Sequence, residues 1–330
     1  MIKDSIQYKK KLKDYKTYFL LKVFGHWLLL SKVFFYILYR IYMKKMIKKK
    51  PAIKEPVAKR SSLVKVVDKP KKKSWLRVLA IANSIGFVAV IIVNYLATSL
   101  PIWWMSTGEL SDLYPNLFTP TGLTFSIRGL IYMFLLWFVI RQIVDVYKKK
   151  GVEITKKIWI WFLLSCITNI WWIFAWHYKL VWLSVLIMIV FLLVLIVINN
   201  KVEIWKKIWN QWDKTLVQIP FSLYLGWISV ATIANISTYL VHIWWGAWWM
   251  SDIFWTILVI IVATLLALLS LYKKNNIIYA LVIVWAFVGI IIKRVAVDPI
   301  YASSIIWTLG VCIAIVAAWI WSRREKRLKN

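Results

Sequence analysis

The sequence predicts an all-α polytopic membrane protein with about eight transmembrane helices. Three observations carry that expectation. The 330 residues are 62% hydrophobic with a mean hydropathy of +0.69, whereas soluble globular chains run near ~45–50% apolar. Runs such as residues 181–198 (VWLSVLIMIVFLLVLIVI) approach the ~20 apolar residues that cross a bilayer. These runs are continuously apolar instead of alternating, so they read as helices and not as barrel strands.

The chain begins with charge. There are 44 Lys and Arg against 13 Asp and Glu, a net charge of +31, and residues 1–77 alone hold 23 of the basic residues against Asp4, Asp14, Glu55 and Asp68. Basic residues crowded before an apolar span are expected at an anionic membrane face, so no specific nucleic acid is invoked. Residues 1–76 are therefore expected to form a basic cytoplasmic region. Within it, residues 18–43 are apolar but carry Lys22, His26, Lys32 and Arg40, with three of these close together on a helix surface. An amphipathic helix in the headgroup plane fits that stripe better than a ninth span. Residues 44–76 read as a basic linker, since Lys and Pro punctuate them and large apolar residues are few.

Eight spans follow, at roughly 78–100, 124–146, 158–177, 180–199, 217–243, 252–272, 277–293 and 301–321. Between the fourth and fifth, Trp205, Trp209 and Trp212 recur at helical spacing beside Lys206, Lys207 and Lys214, as in an interfacial anchor. Alternate loops fix the orientation. One set, with the C-terminal tail, holds sixteen Lys and Arg, and the other holds only Lys179, Lys293 and Arg294. That asymmetry places both termini in the cytoplasm and the protein in the cell (inner, cytoplasmic) membrane. Lys293 and Arg294 lie on the wrong side for the rule. Cys166 and Cys312 sit inside apolar runs, so neither a disulfide framework nor a zinc site is indicated.

Catalytic patterns are missing from the sequence. No carboxylate occupies the middle of a span, which counts against a proton-coupled pump, and no HExxH, GxSxG or Gly-rich phosphate loop occurs. What remains is a set of amides and aromatic rings inside helices. Asn83 and Asn94 share a face of the first span, and Asn169 lies beside Trp171, Trp172 and Trp176. Tyr224 precedes Trp227, Ala231 and Asn235, which stand four apart on one face of the fifth span. An amide in hydrocarbon needs a partner, and Asn169 or Asn83 is the candidate for Asn235. Two readings stay open. These residues are interhelical glue, or they line a cavity that stacks and orients a flat ligand.

Three segments carry a family resemblance: residues 115–132 (PNLFTPTGLTFSIRGLIY), 169–180 (NIWWIFAWHYKL) and 220–235 (PFSLYLGWISVATIAN). Together they resemble the tryptophan-rich sensory protein/translocator protein (TspO/MBR) family, in its longer branch with extra C-terminal helices. The resemblance implies a five-helix bundle over residues 77–250, with 252–293 similar to the branch's extension, and the apolar spans and tail charges make 251–330 three added transmembrane helices with a basic cytoplasmic tail. It also implies a porphyrin-type or sterol ligand held beneath the loop joining the first two spans, here Pro101–Thr124. The matching positions are Asn169, Trp172, Tyr224, Trp227, Ala231 and Asn235. Pro120 stands alone where the family pairs prolines, and Arg128 takes a place expected to be aromatic.

Arg128 has two readings. It holds a ligand carboxylate such as a porphyrin propionate, or it snorkels outward or pairs with Glu109 or Asp112. His177 and His242 end on the outer side, as interface residues or as ligands to a metalloporphyrin. Trp244, Trp245, Trp248 and Trp249 form an aromatic belt there, or a lid. The expected function is binding of a tetrapyrrole (porphyrin or haem) or similar flat hydrophobic molecule, as sensor, carrier or scavenger, with no obligatory cofactor, no metal and no enzymatic step. Expected partners are that small molecule and anionic membrane lipids, with a homodimer as one allowed assembly. A secondary transporter would favour inverted repeats, and none is evident. A structural, lipid-interacting protein is the third alternative.

Overall fold

Hydrocarbon offers a peptide group no partner, so each apolar run must pair its own N–H and C=O groups and becomes helical. The computed structural model describes residues 74–99, 105–148, 152–204, 214–246, 250–298 and 301–329. In chain order the helices are α1 (Ser74–Ser99), a short α2 (Thr107–Asp112) and α3 (Ile127–Lys148), entered through a 3-10 turn at Gly122–Ser126. Next come α4 (Val152–His177), α5 (Val181–Ile204) and α6 (Ile219–His242), the last entered through a π turn at Lys214–Gln218. The chain ends in α7 (Asp252–Lys274), α8 (Ile277–Val297) and α9 (Ser303–Lys329). No strand occurs among the described residues.

Among the described residues, eight segments are long and apolar enough to cross a membrane, from Leu76–Thr98 to Ser303–Ser322. The protein is a multi-pass, all-α membrane protein. The expected helix at 18–43, most of the linker and the Trp205–Trp212 anchor lie outside the described residues, as do Trp248 and Trp249. The seventh span runs past the expected residue 293 to Val297, so Lys293 lies within the helix and Arg294 in its last turn.

Both basic residues near the end of α8 have acidic partners. Lys293 Nζ lies 2.6 Å from Asp112 Oδ1, and Arg294 Nη1 donates to Asp298 at 3.2 Å. Both cations are thus ion-paired at the loop end of α8. The loop before α3 also holds more order than the sequence reading gave it. Ser106 Oγ accepts from Glu109 N–H while Glu109 Oε2 accepts from Ser106 N–H, a capping box that starts α2.

Two apolar cores form around a shared helix. The first draws on α1 and α3–α6, with Phe138, Phe162 and Phe221 edge to face at centroid separations of 5.0–6.1 Å. The second joins α7, α8 and α9 to Leu117 and Phe118 of the loop and Val230 of α6. α6 serves both, and 67% of its spanning window is buried, against 22–44% for the other spans. Its closest neighbour on the second side is α8. A Cβ added to Gly226 would lie 2.9 Å from Val282 Cβ and 3.2 Å from the Tyr279 carbonyl, so glycine permits the approach. Polar pairs lie along the same seam, with Asn276 Nδ2 donating to Ser222 Oγ at 2.9 Å and Tyr279 OH to Ser229 Oγ at 3.1 Å.

Gly226→Ala should therefore destabilise the fold by roughly 1–3 kcal/mol, because backbone on the α8 side cannot yield. Gly129→Ala, where nothing lies within 4 Å of the added atom, should be neutral or stabilise by up to ~1 kcal/mol. Thermal unfolding of both variants in one detergent checks the contrast. Equal midpoints would refute it.

Candidate ligand cavity beneath the loop

The polar residues of the first bundle meet in two clusters. Asn94 Nδ2 donates to Asn169 Oδ1 at 2.8 Å, and Tyr132 OH donates to Asn94 Oδ1 at 2.8 Å. Asn169 Nδ2 closes the ring by donating to Tyr132 OH at 3.2 Å, and it also donates to Tyr224 OH at 2.8 Å. This network ties α1, α3, α4 and α6 together. The second cluster is nearer the loop. Trp172 Nε1 donates to Asn235 Oδ1 at 3.0 Å, and Asn235 Nδ2 donates to Ser184 Oγ at 2.9 Å, joining α4, α5 and α6. Asn235 thus pairs with Trp172 and Ser184, neither of which is the amide partner expected from the sequence. Asn83 sits farther down α1 and donates to Gln142 Oε1 at 3.2 Å.

Between these clusters lies a cavity of about 50 Å³. Asn169, Trp172, Tyr224, Trp227, Ala231, Asn235 and Arg128 all line it. Its roof is the loop expected to cover it, represented by Thr107, Ser111 and Pro120, and Trp176 Nε1 donates to the Thr107 carbonyl at 3.3 Å. Trp172 and Trp176 stack at 5.7 Å and 17°, and Phe125 meets Trp227 edge to face at 5.6 Å. Ala231, between Trp227 and Asn235 on the same face, leaves room that a larger side chain would fill. The volume is that of one or two waters. A flat ligand enters only after the tryptophan pair or the roof moves.

Among the described residues Arg128 is the one charged group in the lining, and it makes no ion pair there. The acids suggested as partners are engaged elsewhere, Asp112 with Lys293 and Glu109 with the Ser106 N–H. His177 is buried and outside the lining. Its Nδ1 lies 2.9 Å from the Ile173 carbonyl, and its Nε2 has no hydrogen-bond partner. It is thus packed inside the bundle at the end of α4. His242 packs edge to face on Tyr114 at 5.7 Å. Burial raises the pKa of that Tyr114 phenol. Trp244 is 93% exposed, and Trp245 borders a different cavity, so neither forms a lid here.

Tyr132 and Ser184 were not singled out by the sequence reading. Each was signalled only as a polar tip within an apolar run, a mark shared by many Ser and Tyr residues that bond their own helix.

A family model described as TSPO-like protein matches residues 80–322, a stretch that enters the first membrane helix and extends through the eighth. The chain belongs to the TSPO-like family. No curated protein and no solved structure matches it.

Replacing Asn235 by Leu removes the acceptor of the Trp172 indole and the donor to Ser184. The loss should be roughly 1–3 kcal/mol, the cost of stranding buried polar groups. Thermal unfolding checks it. An unchanged midpoint would show that these bonds contribute nothing to the bundle.

Proposed function

We propose that this TSPO-like membrane protein binds a tetrapyrrole, or a similar flat hydrophobic molecule bearing an acid group, beneath the loop at residues 105–121. We assign it a sensing, carrying or scavenging role. The supporting observation is the convergence of six family-matched positions and Arg128 on one cavity, with Arg128 left without an anionic partner among the described residues. Ring faces of Trp172 and Trp227 supply stacking, and a carboxylate supplies the charge that Arg128 lacks. The tyrosine–asparagine network and the phenylalanine cluster below it close the floor, an arrangement that suits holding over conduction. The titratable groups of the described lining are Arg128, Tyr132 and Tyr224.

Orientation is part of the same reading. The loop end carries few unpaired cations, while Lys148, Lys201, Lys273 and Lys274 lie at the other end, which supports cytoplasmic termini in the cell membrane. The basic residues 1–77 would then face anionic lipid headgroups. Both native cysteines are buried, so introduced ones report cleanly. Cysteines placed at Ser106 and Lys273 should label from opposite sides of sealed vesicles, and labelling from one side would overturn the topology.

Quenching of tryptophan fluorescence by a dicarboxylic porphyrin, and by its dimethyl ester, tests the ligand. Arg128→Gln should weaken the acid roughly tenfold, about 1.4 kcal/mol, and leave the ester unchanged. Trp227→Phe should weaken both forms, by up to about tenfold, through lost stacking area. Unchanged affinities in both variants would sink the assignment.

A further inference from the structure

A second cavity, of about 800 Å³, lies on the other side of α6. Ile233, Ile236, Leu240 and Val241 of α6 line it, together with Leu258, Val259 and Val262 of α7, while Ala231, Ala234 and Asn235 face the first cavity. Helical periodicity divides the two sets. One end of the second cavity is charged. Lys293, Arg294 and Asp298 from the end of α8, Asp112 from α2 and Asp252 from the start of α7 all border it.

The charges differ in how far they are satisfied. Lys293 is held by Asp112, and Arg294 by Asp298. Arg294 is only 6% exposed, and its Nε has no hydrogen-bond partner. The Asp252 carboxylate has no partner among the described residues. The rim therefore presents two cations and three carboxylates. An anionic headgroup alone would meet an excess of negative charge. A headgroup carrying both a phosphate and an amine meets an opposite charge at each end.

Depth and access identify the rest of the molecule. From Asp252 to Val262 along α7 the cavity extends about 15 Å at ~1.5 Å per residue, roughly half of a ~30 Å hydrocarbon core. That is the depth of one leaflet. Ile236, Leu258 and Val262 are 37%, 40% and 46% exposed on the membrane-facing surface, so the apolar part is open sideways to lipid. A volume of about 800 Å³ lies within the usual ~300–1,000 Å³ range of small-molecule sites.

We propose that this cavity is a binding site for an aminophospholipid of the loop-side leaflet, its phosphate at Lys293 and Arg294, its ammonium at Asp252, and an acyl chain along Ile236, Leu258 and Val262. The phosphate shares the two cations with Asp112 and Asp298 and supplies acceptors to a guanidinium with a donor to spare. The site owes nothing to the porphyrin reading, and either can fail alone.

The full chain, purified in detergent and incubated with vesicles of equal phosphatidylethanolamine, phosphatidylglycerol and phosphatidylcholine, tests it by mass spectrometry of the lipid retained after repurification. Phosphatidylethanolamine should be retained roughly tenfold over the other two, about 1.4 kcal/mol. Asp252→Asn, at an exposed position, should abolish the preference over phosphatidylcholine. Val262→Phe should reduce total retention severalfold while the gel-filtration profile stays unchanged. Arg294→Gln should lower retention too, and the first two variants keep the test decisive should that one misfold. Equal retention of the three lipids, a preference for phosphatidylglycerol, or wild-type retention in both Asp252→Asn and Val262→Phe overturns the proposal.

Discussion

A carboxamide inside hydrocarbon has no water to bond, and leaving it unmatched costs several kcal/mol. Asn169 meets that requirement with bonds to three other helices, through Asn94, Tyr132 and Tyr224. The rest of the first bundle depends on this arrangement. Apolar contact alone is weakly directional between helices in lipid, since the surrounding chains are as apolar as leucine. The amide ring is directional, so it selects which faces of α1, α3, α4 and α6 turn inward. The aromatic rings beside those amides then face inward as well.

α6 carries the consequences across the molecule. It is the most buried span and contributes to both cores. Gly226 lets α8 approach on one side, while Trp227 and Asn235 face the first cavity on the other. Through α8 the C-terminal helices also hold the roof of that cavity. Thr121 N–H donates to the Gly289 carbonyl at 3.3 Å, Trp285 Nε1 donates to the Thr124 carbonyl at 3.1 Å, and Lys293 holds Asp112. A Cβ on Gly289 would overlap the Thr124 side chain, so glycine is required where loop and helix touch. α8 thus braces the roof of the first cavity from outside its lining, and the family match runs on to residue 322, past α8.

Much of this was legible in the sequence, for a physical reason. Crossing hydrocarbon demands a long uninterrupted apolar run, so the eight spans stand out without any knowledge of their packing. The fifth-span pattern of Trp227, Ala231 and Asn235 was legible because four-residue spacing fixes a common face. Partner choice was not. Whether Asn235 would bond Asn169, Asn83, Trp172 or Ser184 depends on helix rotation and axial offset, which hydropathy does not encode. The Lys293–Asp112 pair joins residues far apart in the chain, and charge counting by loops treats each cation as free. The capping box at Ser106 and Glu109 was readable as S-x-x-E, but hydropathy marks only the spans and is silent on local order in the loop between them.

The alternatives of glue and ligand wall turn out not to exclude each other. Asn235 lines the cavity and has its amide committed to Trp172 and Ser184, and Asn169 lines it with its Nδ2 group donating to Tyr132 and Tyr224 of other helices. A ligand therefore finds few free hydrogen-bonding groups in the resting structure besides Arg128. The resting volume, near that of one or two waters, implies that a larger guest must separate the Trp172–Trp176 stack or lift α2 from Trp176. Either movement strains contacts that reach α8 through the roof. Binding in such a site is necessarily linked to the position of the loop, because the free energy that opens the cavity comes from the same bonds that keep it closed.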